Sequence, residues 1–117
     1  MTPHPFLAVR WQDRYVIVSH ASIVRIEACN DRVRIYTDRV YAHRETLTAL
    51  CMRLPRETFV RVHRSHVVNV SAVRAARARS HGEYVLELRD GSTVATGRNF
   101  RADVEDSLGL APTRAVA

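Results

Sequence analysis

The stretch FVRVHRSHVVNV (residues 59–70) begins with the apolar pattern of a strand and then carries several polar side chains that can donate hydrogen bonds. Phe59, Val60 and Val62 form an apolar run typical of a strand, and Val67 and Val68 return the chain to the core. Six side chains in this stretch can donate hydrogen bonds: Arg61, His63, Arg64, Ser65, His66 and Asn69. An unsatisfied buried polar group costs about 1–3 kcal/mol, so these donors need a partner.

The size and composition of the chain predict one globular domain. It has 117 residues, of which 46% are hydrophobic and 26% charged. No apolar run approaches the ~20 residues of a membrane span, and the start, MTPHPFLAVR, lacks the cationic and apolar parts of a secretory signal. We therefore expect a cytoplasmic protein in which Cys29 and Cys51 are free thiols.

The net charge of +6 is concentrated in one segment. Residues 58–82 contain no Asp or Glu, and their five arginines are Arg61, Arg64, Arg74, Arg77 and Arg79. A basic block that faces an anionic polymer releases condensed counterions. Nucleic acid is therefore the expected partner, ahead of a membrane surface or an acidic protein.

The hydrophobic periodicity is mostly that of strands. Short runs rich in Val, Ile and Tyr alternate with polar turns, and Asp90-Gly91 predicts a hairpin that places Arg98 at its far end. ETLTALCMRLP (45–55) predicts a helix that buries its leucines, and residues 101–108 predict a second helix that ends at Gly109. The stretch RAARARSHG, which carries Arg77 and Arg79, lacks apolar alternation and is expected to form a mobile loop.

The candidate catalytic and metal-binding patterns are incomplete. His63 and His66 have the spacing of a ligand pair, but no third ligand follows at a recognisable spacing and their neighbours are cationic. Ser65 lacks a carboxylate to orient a base and a glycine-rich oxyanion turn. The four glycines form no phosphate-binding loop. We expect no enzymatic activity, no metal site and no cofactor.

Four blocks in order resemble the LytTR-type DNA-binding domain of bacterial response regulators. They are IVRIEACNDRVRIYT, ETLTALCMRL, FVRVHRSHVVNVSAV and YVLELRDGSTVATGRNF. The resemblance covers residues 14–108 and implies an elongated, mainly β, multi-sheet fold with one or two short helices. Residues 1–13 are then an N-terminal extension or a first strand, and residues 109–117 a flexible tail.

The resemblance also implies how the domain contacts DNA. In this family, side chains from three loops enter successive grooves of the duplex. By position, the base contacts fall on Arg32, Arg64 and Arg98. Neighbours expected to touch phosphate or to brace these loops are Asn30, His63, Ser65, Asn69 and Asn99. For His63 a structural hydrogen bond and a phosphate contact are equally open, and for Asn69 the bracing role is favoured.

The chain also departs from the family pattern. Arg32 and Arg64 stand where family members commonly carry other residues, so the family does not predict the target sequence. The expected partner is double-stranded DNA with two sites in tandem, bound by a domain that is monomeric when free. A receiver or sensor domain is expected in a longer chain or in a separate protein. The alternatives are a protein-interaction module and an RNA-binding β domain, although the aromatic residues are too scattered for a base-stacking platform.

Overall fold

The computed structural model describes residues 5–110, which contain ten strands and two α-helices. Residues 1–4 and 111–117, including most of the predicted tail, lie outside the described residues. The strands are β1 (Phe6–Trp11), β2 (Arg14–Ser19), β3 (Arg25–Cys29), β4 (Arg32–Tyr36), β5 (Val40–His43), β6 (Phe59–His63), β7 (His66–Asn69), β8 (Val73–Ala78), β9 (Tyr84–Leu88) and β10 (Thr93–Ala95). The helices are α1 (Leu47–Cys51) and α2 (Arg101–Leu108).

The strands form three antiparallel sheets. The central sheet has five strands in the order β5-β4-β3-β7-β6, β8 to β10 form a three-stranded sheet with β9 in the middle, and β1 pairs with β2. The described chain measures 57 × 31 × 24 Å. The predicted elongated, mainly β fold is confirmed.

The central sheet packs against a separate core on each face. The first core joins it to β1, β2 and α1 through Leu7, Val9, Val18, Ile23, Ile26, Val33, Ile35, Leu47, Leu50, Leu54, Phe59 and Val67. The second core joins it to β9, β10 and α2 through Val24, Val60, Val62, Val68, Ala72, Tyr84, Leu86, Leu88, Val94 and Val104. Successive residues of β6 and β7 point to opposite faces, as the period of a strand requires. The apolar residues of the stretch 59–70 therefore serve both cores.

Both predicted helices are present, the first shorter than predicted. The side chain of Thr46 caps α1 by accepting a hydrogen bond from the amide of Ala49 at 3.1 Å. Helix α2 ends where Gly109 adopts a φ of 66°, which glycine reaches without steric cost. Within residues 5–110, neither helix is long and apolar enough to cross a membrane.

The prediction of a mobile loop at 74–82 is wrong for the first half of that segment. Residues 73–78 form β8, which pairs with β9 along most of its length. The strand, VRAARA, is built mainly of alanine and arginine with little apolar contrast, and within it only Val73 and Ala76 pack against the second core. The strand is held by its ladder of backbone hydrogen bonds with β9, which periodicity does not detect.

Strand β1 lies within residues 1–13, for which the sequence predicted either an N-terminal extension or a first strand. Leu7 is 2% exposed and Val9 is fully buried in the first core. The β1–β2 hairpin is therefore part of the packed unit, since its removal would uncover that core.

Asn69 is a brace, and its predicted alternative role as a phosphate contact is not supported by its position. Its side chain is 1% exposed, and its amide donates to the carbonyls of His20 at 3.1 Å and Ile23 at 2.9 Å. Its side-chain oxygen accepts from the backbone amide and the hydroxyl of Ser71 at 3.0 and 2.9 Å. The side chain thus ties the β2–β3 connection to the end of β7, and a phosphate has no access to it.

We expect Asn69→Ala to lower the free energy of unfolding by about 2–4 kcal/mol, because it leaves the Ile23 carbonyl without its donor and the Ser71 amide without its acceptor. Urea unfolding measures the change. Asn99→Ala is the matched control: Asn99 is exposed, so its truncation should change stability by less than about 0.5 kcal/mol. Equal effects of the two substitutions would contradict the bracing role.

Candidate nucleic-acid interface

Three turns meet at one end of the central sheet. They are the Asn30 turn (Asn30 and Asp31, between β3 and β4), the Arg64 turn (Arg64 and Ser65, between β6 and β7) and the Arg98 turn (Arg98–Phe100, between β10 and α2). We refer to them together as the turn cluster. The amide of Ala28, next to the Asn30 turn, donates to the carbonyl of Ser65 at 2.8 Å. The amide of Gly97 donates to the carbonyl of Val62 at 2.9 Å, so the Arg64 turn lies between the other two.

The Asn30 turn is set by a left-handed backbone. Asn30 has a φ of 58°, a conformation that Asn tolerates better than most residues, and it lets Cys29 pair directly with Arg32. Arg32 is exposed, and its Nε lies 3.6 Å from the carboxylate of Asp31. An exposed pair of this kind is worth about 0–1 kcal/mol, so it does little to hold the Arg32 guanidinium back from another partner.

The Arg64 turn sits beyond a β-bulge. Arg61 pairs with Val67 and His63 with His66, so Val62 is an extra residue on β6. A bulge increases the local twist and re-aims the end of a strand. Neither residue of the Arg64 turn has a positive φ. Arg64 is exposed, and within residues 5–110 its guanidinium makes no hydrogen bond or ion pair.

The backbone of the Arg64 turn is nevertheless fixed. The amide of Ser65 donates to His63 Nδ1 at 3.1 Å, and Arg61 Nη2 donates to the carbonyl of Arg64 at 2.5 Å. His63 therefore makes a structural hydrogen bond, one of the two roles expected for it, by accepting through Nδ1. His63 and Ser65 are half-buried, which leaves part of each side chain accessible.

The Arg98 turn is a short 3₁₀ helix that runs into α2. The amide of Phe100 donates to the carbonyl of Gly97 at 2.9 Å, and the aromatic ring packs against the second core. Arg98 and Asn99 are exposed, and neither side chain bonds to another residue in the described part of the chain. The predicted base contacts Arg64 and Arg98 thus lie exposed in the turn cluster, and Arg32 is exposed beside it, at the first position of β4.

The basic segment 58–82 is divided between two sheets. Arg61 and Arg64 belong to the central sheet and its turn, whereas Arg74 and Arg77 lie on β8 of the three-stranded sheet. Arg77 Nη2 lies 3.5 Å from the carboxylate of Glu87 on the neighbouring strand. The charge block seen in the sequence is therefore divided between the turn cluster and β8.

Two arginines on β3 and β4 were not singled out from the sequence. Arg25 stacks over the ring of Tyr36 at 3.7 Å, and the Tyr36 hydroxyl donates to Glu27 at 2.9 Å. Arg34 is exposed, with its Nη1 4.0 Å from the same carboxylate. The pairing of β3 with β4 places these four residues on one face of the sheet. Alternation in RVRIY, which sends Arg32 and Arg34 to one side, is the signal that could have identified this face.

Residues 5–110 hold no group of three His, Cys, Asp or Glu side chains arranged to bind a metal ion. Cys29 and Cys51 are free thiols. Burial raises the pKa of the Cys51 thiol, which makes it a weaker nucleophile at neutral pH.

Comparison with known proteins points in one direction. The family model described as the LytTr DNA-binding domain matches residues 13–109. The sensory transduction protein LytT of Bacillus subtilis is 29% identical over 103 residues, which are 87% of this chain and 43% of that protein. The transcriptional regulatory protein LytR of Staphylococcus aureus is 28% identical over 105 residues, covering 89% and 43%. The chain therefore spans less than half the length of these curated relatives.

A solved structure shares the fold. The LytTr DNA-binding domain of a putative methyl-accepting/DNA response regulator from Bacillus cereus superposes with a TM-score of 0.81. The match covers 91% of this chain and 98% of that one at 21% sequence identity.

Two histidines beneath the surface should make stability depend on pH. Burial lowers the pKa of His66, against a smaller opposing effect of Glu27, and burial also lowers the pKa of His20. His66 Nδ1 is buried and has no hydrogen-bond partner among residues 5–110. In both cases the unfolded chain takes up a proton near the ordinary pKa of 6.5, whereas the folded chain does so only at lower pH.

We therefore expect the free energy of unfolding to be highest above about pH 6.5 and to fall as the pH drops below it. His66→Gln should make this fall shallower, and so should His20→Gln. Urea unfolding between pH 7.5 and 5.5 measures the three slopes. An identical slope in wild type and His66→Gln would show that His66 does not contribute.

Proposed function

The chain belongs to the LytTr DNA-binding domain family, and from that premise we propose that it recognises specific sequences in double-stranded DNA as part of a bacterial transcription regulator. The observation that supports this most directly is the group of three exposed arginines at one end of the central sheet, with Arg64 and Arg98 in the turn cluster and Arg32 at the adjoining start of β4. Arg64 and Arg98 have no competing partner in the described residues, and Arg32 has only a weak one.

An arginine at the tip of a fixed turn suits direct readout of a base. The guanidinium donates two parallel hydrogen bonds to O6 and N7 of guanine in the major groove, and each such contact discriminates by about 1–3 kcal/mol. This requires that the backbone be held still while the side chain reaches outward. The hydrogen bonds at Ala28, Val62 and Ser65 meet that requirement. We therefore assign base contacts to Arg32, Arg64 and Arg98.

The smaller polar side chains around these arginines suit the phosphate backbone. Asn30 and Asn99 are exposed, and His63 and Ser65 are partly accessible. Amides, hydroxyls and imidazoles donate to phosphate oxygens, which fixes the register of a protein on the duplex without reading its sequence. We propose these four residues as backbone contacts.

Recognition through turns agrees with the rest of the fold. Helix α1 has only five residues, and α2 buries Val104 in the second core. Neither helix suits the major groove, where the recognition helix of a helix-turn-helix protein lies, because α1 is too short and α2 (RADVEDSL) carries three carboxylates that phosphates would repel. Base stacking on RNA is also poorly supported, because the exposed aromatics of residues 5–110, Phe6 and Tyr15, lie on the β1–β2 hairpin outside the turn cluster.

The relatives extend well beyond the matched region, so we propose that this domain works with a receiver or sensor domain, in the same chain or in another protein. We also propose that the free domain is monomeric and pairs on DNA that carries two tandem sites.

We expect the free chain to sediment as a monomer at micromolar concentration and as two copies on a duplex with two sites. Analytical ultracentrifugation with duplexes carrying one site or two measures this. A tight dimer without DNA would contradict the proposal.

Arg98→Ala should weaken binding to the selected duplex by about 1–3 kcal/mol and binding to a scrambled duplex only slightly, because it removes a base contact. Arg77→Ala is the matched control: Arg77 is exposed on β8, outside the turn cluster, and should weaken both duplexes slightly and equally. The selected duplex comes from a random pool enriched on the protein, and fluorescence anisotropy at fixed salt measures both affinities. Equal losses on the two duplexes for Arg98→Ala would make Arg98 a backbone anchor.

The same titrations over a range of salt concentrations test DNA binding itself. Log affinity should fall linearly with log salt, with a slope of about −0.9 for each phosphate contacted. An affinity independent of salt would exclude the proposed interface. Circular dichroism of each variant controls for folding.

A further inference from the structure

Arg61 links α1 to the Arg64 turn. Its Nη1 donates to the hydroxyl of Thr48 on α1 at 3.1 Å, and its Nη2 donates to the carbonyl of Arg64 at 2.5 Å. Arg61 lies on β6 directly before the bulged residue Val62. It is the only one of the five arginines in residues 58–82 whose guanidinium holds the backbone of a turn in the described structure.

The anchor on α1 is rigid relative to the sheet. Leu47 and Leu50, on either side of Thr48, are 3% and 0% exposed and belong to the first core. The guanidinium is also partly removed from solvent, since Arg61 Nε is buried and has no partner among residues 5–110. Burying a charged group without full hydrogen bonding costs free energy. The hydrogen bonds to Thr48 and to the Arg64 carbonyl are therefore the contacts through which Arg61 stabilises the structure.

We infer that Arg61 is a positioning residue, which fixes the Arg64 carbonyl against α1 and thereby sets the direction in which the Arg64 side chain leaves the turn. This inference rests on the proposed base contact of Arg64. A planar guanidinium can bridge a hydroxyl and a carbonyl at once, whereas a lysine ammonium is a point charge on a flexible stem. Each Nη of Arg61 already has an acceptor inside the protein, which distinguishes this side chain from Arg64 and Arg98, whose guanidinium groups have none in the described residues.

The test is a double-substitution cycle in the full 117-residue chain. Arg61→Lys keeps the charge but not the bridge, Arg64→Ala removes the proposed base contact, and a third protein carries both changes. Arg74→Lys, at an exposed arginine on β8, is the control for an arginine-to-lysine change. The affinity for selected and scrambled duplexes is measured at several salt concentrations, and thermal unfolding is followed by circular dichroism.

We expect Arg61→Lys to weaken binding to the selected duplex about tenfold, with the scrambled duplex and the salt slope unchanged. In the Arg64→Ala background the same change should have no further effect on either duplex. Arg74→Lys should change neither affinity. Thr48→Val removes one end of the bridge without touching a charged residue, and should weaken the selected duplex about threefold.

Three results would overturn the inference. Equal losses on both duplexes with a shallower salt slope would make Arg61 a phosphate contact. A tenfold loss that persists in the Arg64→Ala background would make its effect independent of the Arg64 turn. If Arg64→Ala lowers both affinities equally, the proposed base contact fails and the positioning role fails with it. If Arg61→Lys unfolds the chain, Thr48→Val decides: a loss confined to the selected duplex supports the inference, and no such loss overturns it.

Discussion

The hairpin of β6 and β7 carries apolar side chains on both faces, and such a hairpin is stable only when a layer covers each side. Phe59 and Val67 face one layer, and Val60 and Val68 face the other. The β1–β2 hairpin and α1 meet the first requirement, and the three-stranded sheet with α2 meets the second. The order of layers follows from this double burial, and so does the position of the Arg64 turn at the end of the hairpin.

Sequence reasoning succeeded where the pattern of one segment determines its own structure. Alternation identified β4, and the spacing of Leu47, Leu50 and Leu54 identified the buried side of α1. It failed at β8, because alanine and arginine give too little contrast and the strand depends on its partner β9. Asn69 shows the same limit. Its position between two valines indicated a bracing role, but the carbonyls that accept its hydrogen bonds lie 46 and 49 residues away in the chain and could not be identified.

The candidate site follows the same division. Positions for Arg32, Arg64 and Arg98 could be assigned from the family resemblance, and all three lie exposed at one end of the sheet. That the three turns adjoin one another depends on tertiary hydrogen bonds, such as those from Ala28 to Ser65 and from Gly97 to Val62, which connect distant parts of the chain. The basic segment 58–82 shows the opposite limit. Its arginines are close together in the sequence, but the fold places them in two different sheets. The contacts of Arg25 with Tyr36 and of Arg61 with Thr48 join separate elements of the fold and were not predicted from the sequence.

The backbone of the Arg64 turn has a consequence for how such domains diversify. Neither of its two residues needs a positive φ, so many side chains can stand at position 64 without altering the hairpin. The Asn30 turn is more restricted, because a left-handed residue there favours Asn or Gly. Given the proposed base contact of Arg64, a single codon change at position 64 would alter the preferred operator while the scaffold stays intact. In the Asn30 turn the left-handed position itself is restricted, so variation is expected instead at position 32, on β4.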